Sequence, residues 1–253
     1  RHNRSGLAGL GIDLTQHQLS ARNLLNIERV RRGAQAPAPE AFTTLKNEHD
    51  IVLATMGRMS MEKNQAALIE ALALLRKQDG TEGGGAQGLN VGLAIVGSGV
   101  LEATLRARID SLGLSGHVVL LGQMDNPFPV LGGADLFVLP SLHEGQPVTL
   151  LEAMTLGTGV VASDLPGNRE LIDLGYGVLS GTSPQDIAQA IRSALADPRL
   201  AHGDFDVTEH NARSLRDTLE AVLGPEALHQ QPQGKTASRR RRRKRGASRG
   251  KPA

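Results

Sequence analysis

The chain has 253 residues, 40% of them hydrophobic, which is enough for one large or two small domains with a sizeable core. It contains no Cys or Trp and only 2% aromatic residues. That excludes disulfides, zinc-thiolate sites and thiol nucleophiles, leaves little material for base-stacking platforms, and fits a reducing compartment. The formal charge of +2 hides an asymmetry: residues 229–253 hold ten basic and no acidic side chains, leaving 18 basic against 26 acidic in the rest, a net of −8.

No apolar run approaches the length of a membrane span, and the first residues lack the pattern of a signal peptide. The chain opens on Arg1 rather than Met, so a processed or partial chain is expected. Residues 1–45 read as a connecting lead: a flexible Gly6–Gly11 stretch, one short helix within Leu19–Arg32, and an Ala/Pro linker from Ala34 to Pro39. From residue 46 the pattern becomes regular. Ile51–Met56 is an apolar run, followed by a helix through Ala66, Ile69, Leu72 and Leu75. Strands are expected at Val91–Val96, His117–Leu121, 136–139, Val160–Ala162 and Gly177–Leu179. Helices are expected over Leu101–Leu112, Phe128–Leu131, Gly167–Asp173, Pro184–Leu195 and Glu209–Leu223. Strands alternating with helices predict an α/β fold with a doubly wound parallel sheet over residues 46–224, with sites at the carboxyl ends of the strands. A disordered basic tail follows at 225–253.

Two loops carry the chemistry. After the strand at 136–139 comes a loop with Glu144 and Gly145, then Gln146, then Pro147 at the expected first helical position. Val148, Leu151 and Met154 share the expected buried face of that helix. Free amides at its start, at Val148 and Thr149, together with the helix dipole suit an anion. Glu152 lies five residues inside, roughly 7.5 Å along the axis, and is better placed for neutral hydroxyls such as a ribose diol. Glu144, at the mouth of the loop, can meet hydroxyls on the far side of the anion. A nucleoside diphosphate bearing a sugar or polyol has that order of groups. The second loop, G-R-M-S-M-E-K at 57–63, follows the first strand. It places Arg58 at a strand end and Lys63 in the expected first helical turn, where the dipole disfavours a cation unless an anion compensates.

The E-x7-E spacing from Glu144 to Glu152, the glycine after the first Glu and the preceding strand resemble the donor-site motif of retaining GT-B glycosyltransferases, the family-4-like group. The G-R-x4-K element (57–63), I-V-G-S-G (95–99), L-L-G-Q-M (120–124) and D-L-P-G-N-R-E-L (164–171) extend the likeness, in order, over residues 48–200. The N-P-F-P run at 126–129 with E-G-Q-P looks most like the branch of wall- and teichoic-acid-type transferases. The resemblance implies the nucleotide-binding, C-terminal half of such an enzyme. Arg58 and Lys63 would neutralise the donor diphosphate in place of a metal, and Glu144 would touch the transferred group. Glu152 would meet the ribose, and the backbone near Gln123 and Met124 would lie against the base. Gly57, Gly97, Gly145, Gln146 and Val148 would complete the donor site. Neither a cofactor nor a metal is implied, only a nucleoside-diphosphate sugar or similar activated donor.

A complete GT-B enzyme has a second Rossmann-like domain for the acceptor, which residues 1–45 cannot contain. The chain alone is therefore expected to bind a nucleoside diphosphate weakly and to turn over little. A nucleotide-binding module without catalysis, an epimerase, a phosphorylase and a glycerophosphotransferase remain alternatives. Gly97-Ser98-Gly99 lacks the third glycine of a dinucleotide fingerprint, and Asp204-Phe205-Asp206, formally D-x-D, reads as polar loop rather than metal site. His143 reads as a solvated loop histidine, His117 as structural, and Asn168 and Arg169 as site support or helix cap. The tail from Arg239 to Arg245 would suit an anionic membrane surface, at the inner face for a cytoplasmic protein. Nucleic acid would answer to the same electrostatics but is not the expected partner.

Overall fold

The computed structural model describes residues 24–77, 89–145, 147–203 and 205–223. Ala21–Arg216 is one compact unit, and Asp217–Leu223, the last turns of the final helix, belong to a second. The sheet holds six parallel strands: β1 (Ile51–Met56), β2 (Val91–Val96), β3 (Val118–Gly122), β4 (Leu136–Leu139), β5 (Gly159–Ser163) and β6 (Val178–Ser180). Their spatial order is β3-β2-β1-β4-β5-β6, so the direction of winding reverses between β1 and β4.

The strands read as near-continuous apolar runs because both faces are covered. Successive side chains point to opposite faces, and the core divides accordingly. Val52, Ala54, Ala94, Val96, Phe137, Leu139, Val160 and Ala162 pack on one side. Leu53, Val91, Leu93, Ile95, Leu136, Val138 and Val161 pack on the other. Over the second face lie α3 (Gln65–Arg76), α4 (Glu102–Ser111) and α8 (Pro184–Ala196), through Leu68, Leu72, Leu105, Ile187 and Ile191. Over the first lie α1 (Ile27–Ala34), α2 (Glu40–Glu48), α5 (Phe128–Gly133) and α6 (Val148–Thr155), with α7 (Pro166–Leu174) contributing Leu171. A short α9 (Pro198–Ala201) and a long α10 (Val207–Leu223) follow.

The largest difference from the sequence expectation is in the lead. Residues 24–48 contain two helices, and Leu25, just before the first, joins Val30, Phe42 and Leu45 in the core of the first face. Beyond Ala34, the last residue of α1, the linker is non-helical as expected, and Pro39, extended at φ −56° and ψ 144°, is the N-cap of α2, where its missing N–H costs nothing. His49 follows α2 and ties it down. Its Nδ1 lies 2.8 Å from the Leu45 carbonyl and its Nε2 2.7 Å from His117 Nδ1 at the start of β3. His117 is thus structural, and burial pushes its pKa down, aided by Arg76 and His49. The Gly6–Gly11 stretch and the tail expected at 225–253 lie outside the described residues.

Candidate functional site

Parallel sheets place their loops, and therefore their sites, at the carboxyl ends of the strands, and a crevice opens where the winding reverses. Here that place is between β1 and β4. These two strands share only two register pairs, Leu53 with Leu136 and Ala54 with Phe137. By contrast, β1 and β2 stay paired over all six residues. The ladder between β1 and β4 therefore stops short of both carboxyl ends, and the loops that follow face one another across the gap.

The loop after β1 begins with Gly57, whose backbone lies against Gly97 at the end of β2. A Cβ on Gly97 would fall 2.1 Å from the Gly57 carbonyl oxygen, and the φ of Gly97 is +128°. The aliphatic stem of Lys63 lies over Gly57, with its Cδ 3.3 Å from where a Cβ would stand. Lys63 is not in the first turn of α3, as expected, but in a 3-10 turn at Met61–Lys63. Asn64, left-handed at φ 53°, separates that turn from the helix. Its Nδ2 donates to the carbonyls of Pro140 and Thr182, at 3.1 and 3.0 Å, which holds the break in place. The cation misplaced on a helix dipole is therefore not what the structure contains; Lys63 points across the crevice instead.

There it meets the loop after β4. Lys63 Nζ donates to Glu144 Oε1 at 2.5 Å, and the two side chains are only 25% and 9% exposed. Ser141 Oγ donates to the same carboxylate oxygen at 2.7 Å. The Leu142 amide donates to the Glu62 carbonyl at 2.7 Å, so backbone as well as side chains close the loops on each other. Behind Glu144 runs a buried chain of hydrogen bonds. Ser163 Oγ, at the end of β5, donates to the Ser141 carbonyl at 2.7 Å. Asn168 Nδ2, in the first turn of α7, donates to the Ser163 carbonyl at 2.9 Å. Ser141, Ser163 and Asn168 are all fully buried. Sequence reasoning left Asn168 between support and cap and missed both serines, since a lone Ser after a strand carries no signal until the neighbouring strand is known.

Arg58 is exposed at the end of β1, and its carbonyl accepts from Gln65 Nε2 at 2.9 Å. Glu62 sits beside it: a hydrogen bond from Ser60 holds the Glu62 carboxyl below its usual range, and Arg58 and His143 add to this. His143 is exposed, as its loop position suggested. Pro147 is the N-cap of α6 rather than its first residue, and no side chain of the described residues caps the helix. The amides of Val148 and Thr149 thus remain available at its N-terminus. Gly145 is exposed, and its carbonyl lies against Gly167 of α7, where a Cβ would approach to 2.6 Å. Gln146 lies outside the described residues.

Three further expected residues lie on the loop after β3 and within α6. Gln123 is exposed just after β3, and Met124 packs on the edge of the first-face core. Glu152 is half-buried on α6; burial raises its carboxyl pKa and the Arg29 guanidinium of α1 opposes the rise. Among the described residues no cluster of three His, Asp or Glu side chains could hold a metal, and Asp204 of D-x-D is outside them. A lysine and a carboxylate thus meet at the switch point of a doubly wound sheet, with an exposed arginine on the lysine's own loop and the start of α6 shortly beyond the carboxylate.

The family model described as "Glycosyl transferases group 1" matches residues 39–204. The chain belongs to that family. The amylovoran biosynthesis glycosyltransferase AmsK of Erwinia amylovora is 31% identical over 205 residues, covering 77% of this chain and 47% of AmsK. The N-acetylgalactosamine-N,N'-diacetylbacillosaminyl-diphospho-undecaprenol 4-alpha-N-acetylgalactosaminyltransferase of Campylobacter jejuni is 29% identical over 184 residues, covering 69% of this chain and 47% of that enzyme. The chain therefore spans about half the length of these relatives. Among solved structures, HepE of Anabaena, crystallised with UDP and glucose, matches with a TM-score of 0.60 at 24% identity. That match covers 79% of this chain and 56% of HepE, and it shows the GT-B type of fold. The crystallised C-terminal domain of the group 1 transferase LpcC from Francisella tularensis has a TM-score of 0.53 at 19% identity, with 70% of this chain covering 94% of that domain.

Proposed function

We propose that the chain is the donor-binding half of a retaining, metal-independent glycosyltransferase that takes a nucleoside-diphosphate sugar. The observation that carries this reading is the Lys63–Glu144 contact across the β1–β4 crevice, beside the uncapped start of α6. As the bond from the anomeric carbon to the diphosphate breaks, negative charge develops on the departing phosphate oxygens. Preplaced guanidinium, ammonium and amide donors stabilise that charge without reorganising. Arg58, Lys63 and the amides of Val148 and Thr149 take this part, which leaves no task for a metal or other cofactor.

Lys63 is held by Glu144 in the free chain. A diphosphate offers it a stronger partner, and its release frees Glu144 to accept from hydroxyls of the transferred sugar. Glu152 meets the ribose, the backbone at Gln123 and Met124 the base, and Gly57, Gly97, Gly145 and Gln146 let the ligand approach the main chain. HepE was crystallised with UDP and with UDP-glucose, which supports a nucleotide-sugar donor here. The names of AmsK and the Campylobacter enzyme support a role in polysaccharide or cell-wall assembly. Retention of configuration rests on the family resemblance. The acceptor is held by a domain beyond this chain, so residues 1–253 bind donor weakly and turn over little. No helix of the described residues is long and apolar enough to cross a membrane; cytoplasmic work at an anionic membrane face, through Arg239–Arg245, is the placement that fits the basic tail.

The test is calorimetric titration of the chain with UDP and GDP in EDTA. The reading expects one of them to bind without divalent metal, and Lys63→Ala to weaken it at least about tenfold, as loss of a charge-assisted contact does. Binding that needs a metal, or that Lys63→Ala leaves unchanged, would overturn it.

A further inference from the structure

We propose that Asn64 is a positioning residue for the donor diphosphate: its side-chain amide holds the Lys63 turn to the loops after β4 and β6 while Lys63 leaves Glu144 for phosphate. The inference rests on the donor reading above and adds to it a residue that touches no ligand, together with a third loop, the one after β6.

In the free chain Lys63 is restrained by its own contact with Glu144 Oε1. A ligand that takes Lys63 away removes that restraint. An ammonium stabilises developing charge well only if it is already in place, so another part of the chain must then hold its turn. A turn left loose would have to be ordered on binding, at a cost in affinity. Lys63 also has a long flexible stem, which lies over Gly57 and takes its direction from the backbone that carries it.

Asn64 supplies the hold in two ways. Its backbone, at φ 53° and ψ 31°, is the one non-glycine position in the left-handed region among the described residues. Asparagine enters that region more readily than most side chains. This left-handed step ends the 3-10 turn at Lys63 and lets α3 begin at Gln65, so it sets how Lys63 leaves the main chain. Glycine could supply the same φ but no side-chain bond. Asn64 Nδ2 carries two hydrogens, and both are used. One goes to the Pro140 carbonyl at 3.1 Å and the other to the Thr182 carbonyl at 3.0 Å. Pro140 stands between β4 and Ser141, whose hydroxyl holds Glu144. Thr182 follows β6 and precedes Ser183, the N-cap of α8.

Neighbouring ties fix the rest of the same loop. Gln65, 2% exposed, donates from Nε2 to the Arg58 carbonyl at 2.9 Å. The amide of buried Met59 donates to the Ser98 carbonyl at 2.9 Å, and the Leu142 amide donates to the Glu62 carbonyl. None of these bonds involves the Lys63 ammonium, so all persist when it moves to a phosphate. The two made by Asn64 start next to Lys63 in the chain and reach both loops. Their removal therefore acts most directly on where Nζ stands.

The test titrates residues 1–253 with UDP and GDP in EDTA, with melting curves to confirm the fold. The chains compared are wild type, Asn64→Gly, Asn64→Asp, Lys63→Ala and the double variant Lys63→Ala with Asn64→Gly. Asn64→Gly keeps the left-handed backbone and removes only the two donors. It is expected to weaken whichever nucleotide binds by about fivefold, less than Lys63→Ala does. Asn64→Asp, of the same shape but without a donor, should lose at least as much. With Lys63 already Ala, Asn64→Gly should change affinity by less than about twofold, because the turn then has no ammonium to place. A role in stability alone would lower the melting temperature and leave affinity unchanged, or take the same factor from both backgrounds. Affinity unchanged in both Asn64 variants, or a loss undiminished in the Lys63→Ala background, would overturn the inference and leave the donor reading standing. A wild-type chain that bound neither nucleotide, or a Lys63→Ala chain that bound as well as wild type, would instead remove the donor reading, and this inference with it.

Discussion

Glu152 is a residue whose contribution to stability and whose proposed role pull in opposite directions. Burial lifts its carboxyl pKa in the folded chain above the ordinary value of about 4.3. Between those two values the folded state holds the extra proton, so stability is greatest below the unfolded pKa and falls as pH rises toward the folded one. At neutral pH the buried carboxylate is thus a net cost. Glu152→Gln should raise the melting temperature at pH 7.5, give no gain at pH 4, and weaken nucleotide binding; thermal melts at the two pH values check the first two points. A lowered melting temperature at pH 7.5 would contradict the burial argument. Ser163 works differently, since it touches no proposed ligand. Ser163→Ala leaves the buried Ser141 carbonyl without its donor and should cost about 1–3 kcal/mol in urea unfolding. Because Ser141 in turn holds Glu144, donor affinity should drop as well. That Arg58 and Glu144 follow strands in loops, and that Glu152 lies inside a helix, was legible in the sequence; the 3-10 turn that carries Lys63 was not. The serines were not, because their partners come from other strands.

At the scale of elements, the glycines at the ends of β1 and β2 show which turns are fixed by contact. Gly97→Ala would drive a methyl into the Gly57 carbonyl at a positive φ, so both strand ends must shift. A loss of at least about 2 kcal/mol is expected. Gly145→Ala is its control: nothing lies within 4 Å of the new Cβ, and stability should stay within about 0.5 kcal/mol. Chemical denaturation of the two variants side by side decides this. Strands β1, β2 and β4 were legible as uninterrupted apolar runs, a consequence of burial on both faces. Helix α2 was not, since only Phe42 and Leu45 mark it and Pro39 precedes it. Phe42 is 1% exposed, so Phe42→Ala should cost about 3–5 kcal/mol if α2 is as much a part of the core as its packing indicates. The 3-10 turn at Lys63 was equally hidden, because Asn64 in the left-handed region is held by carbonyls from two distant loops.

At the scale of the molecule, the decisive feature is the order β3-β2-β1-β4-β5-β6. It brings the loop after β1 opposite the loop after β4, although the two are separated by about eighty residues. Nothing in local pattern conveys that; the family resemblance did, and the short β1–β4 ladder supplies the physical reason. The account's central claim is that this crevice receives a pyrophosphate-bearing ligand, which takes Lys63 away from Glu144. A crystal structure of the chain with UDP or a UDP-sugar tests it directly. The predicted result is a phosphate oxygen within about 3 Å of Lys63 Nζ, with Arg58 and the start of α6 closing on the same diphosphate. Nucleotide bound elsewhere, with the Lys63–Glu144 pair intact, would contradict it.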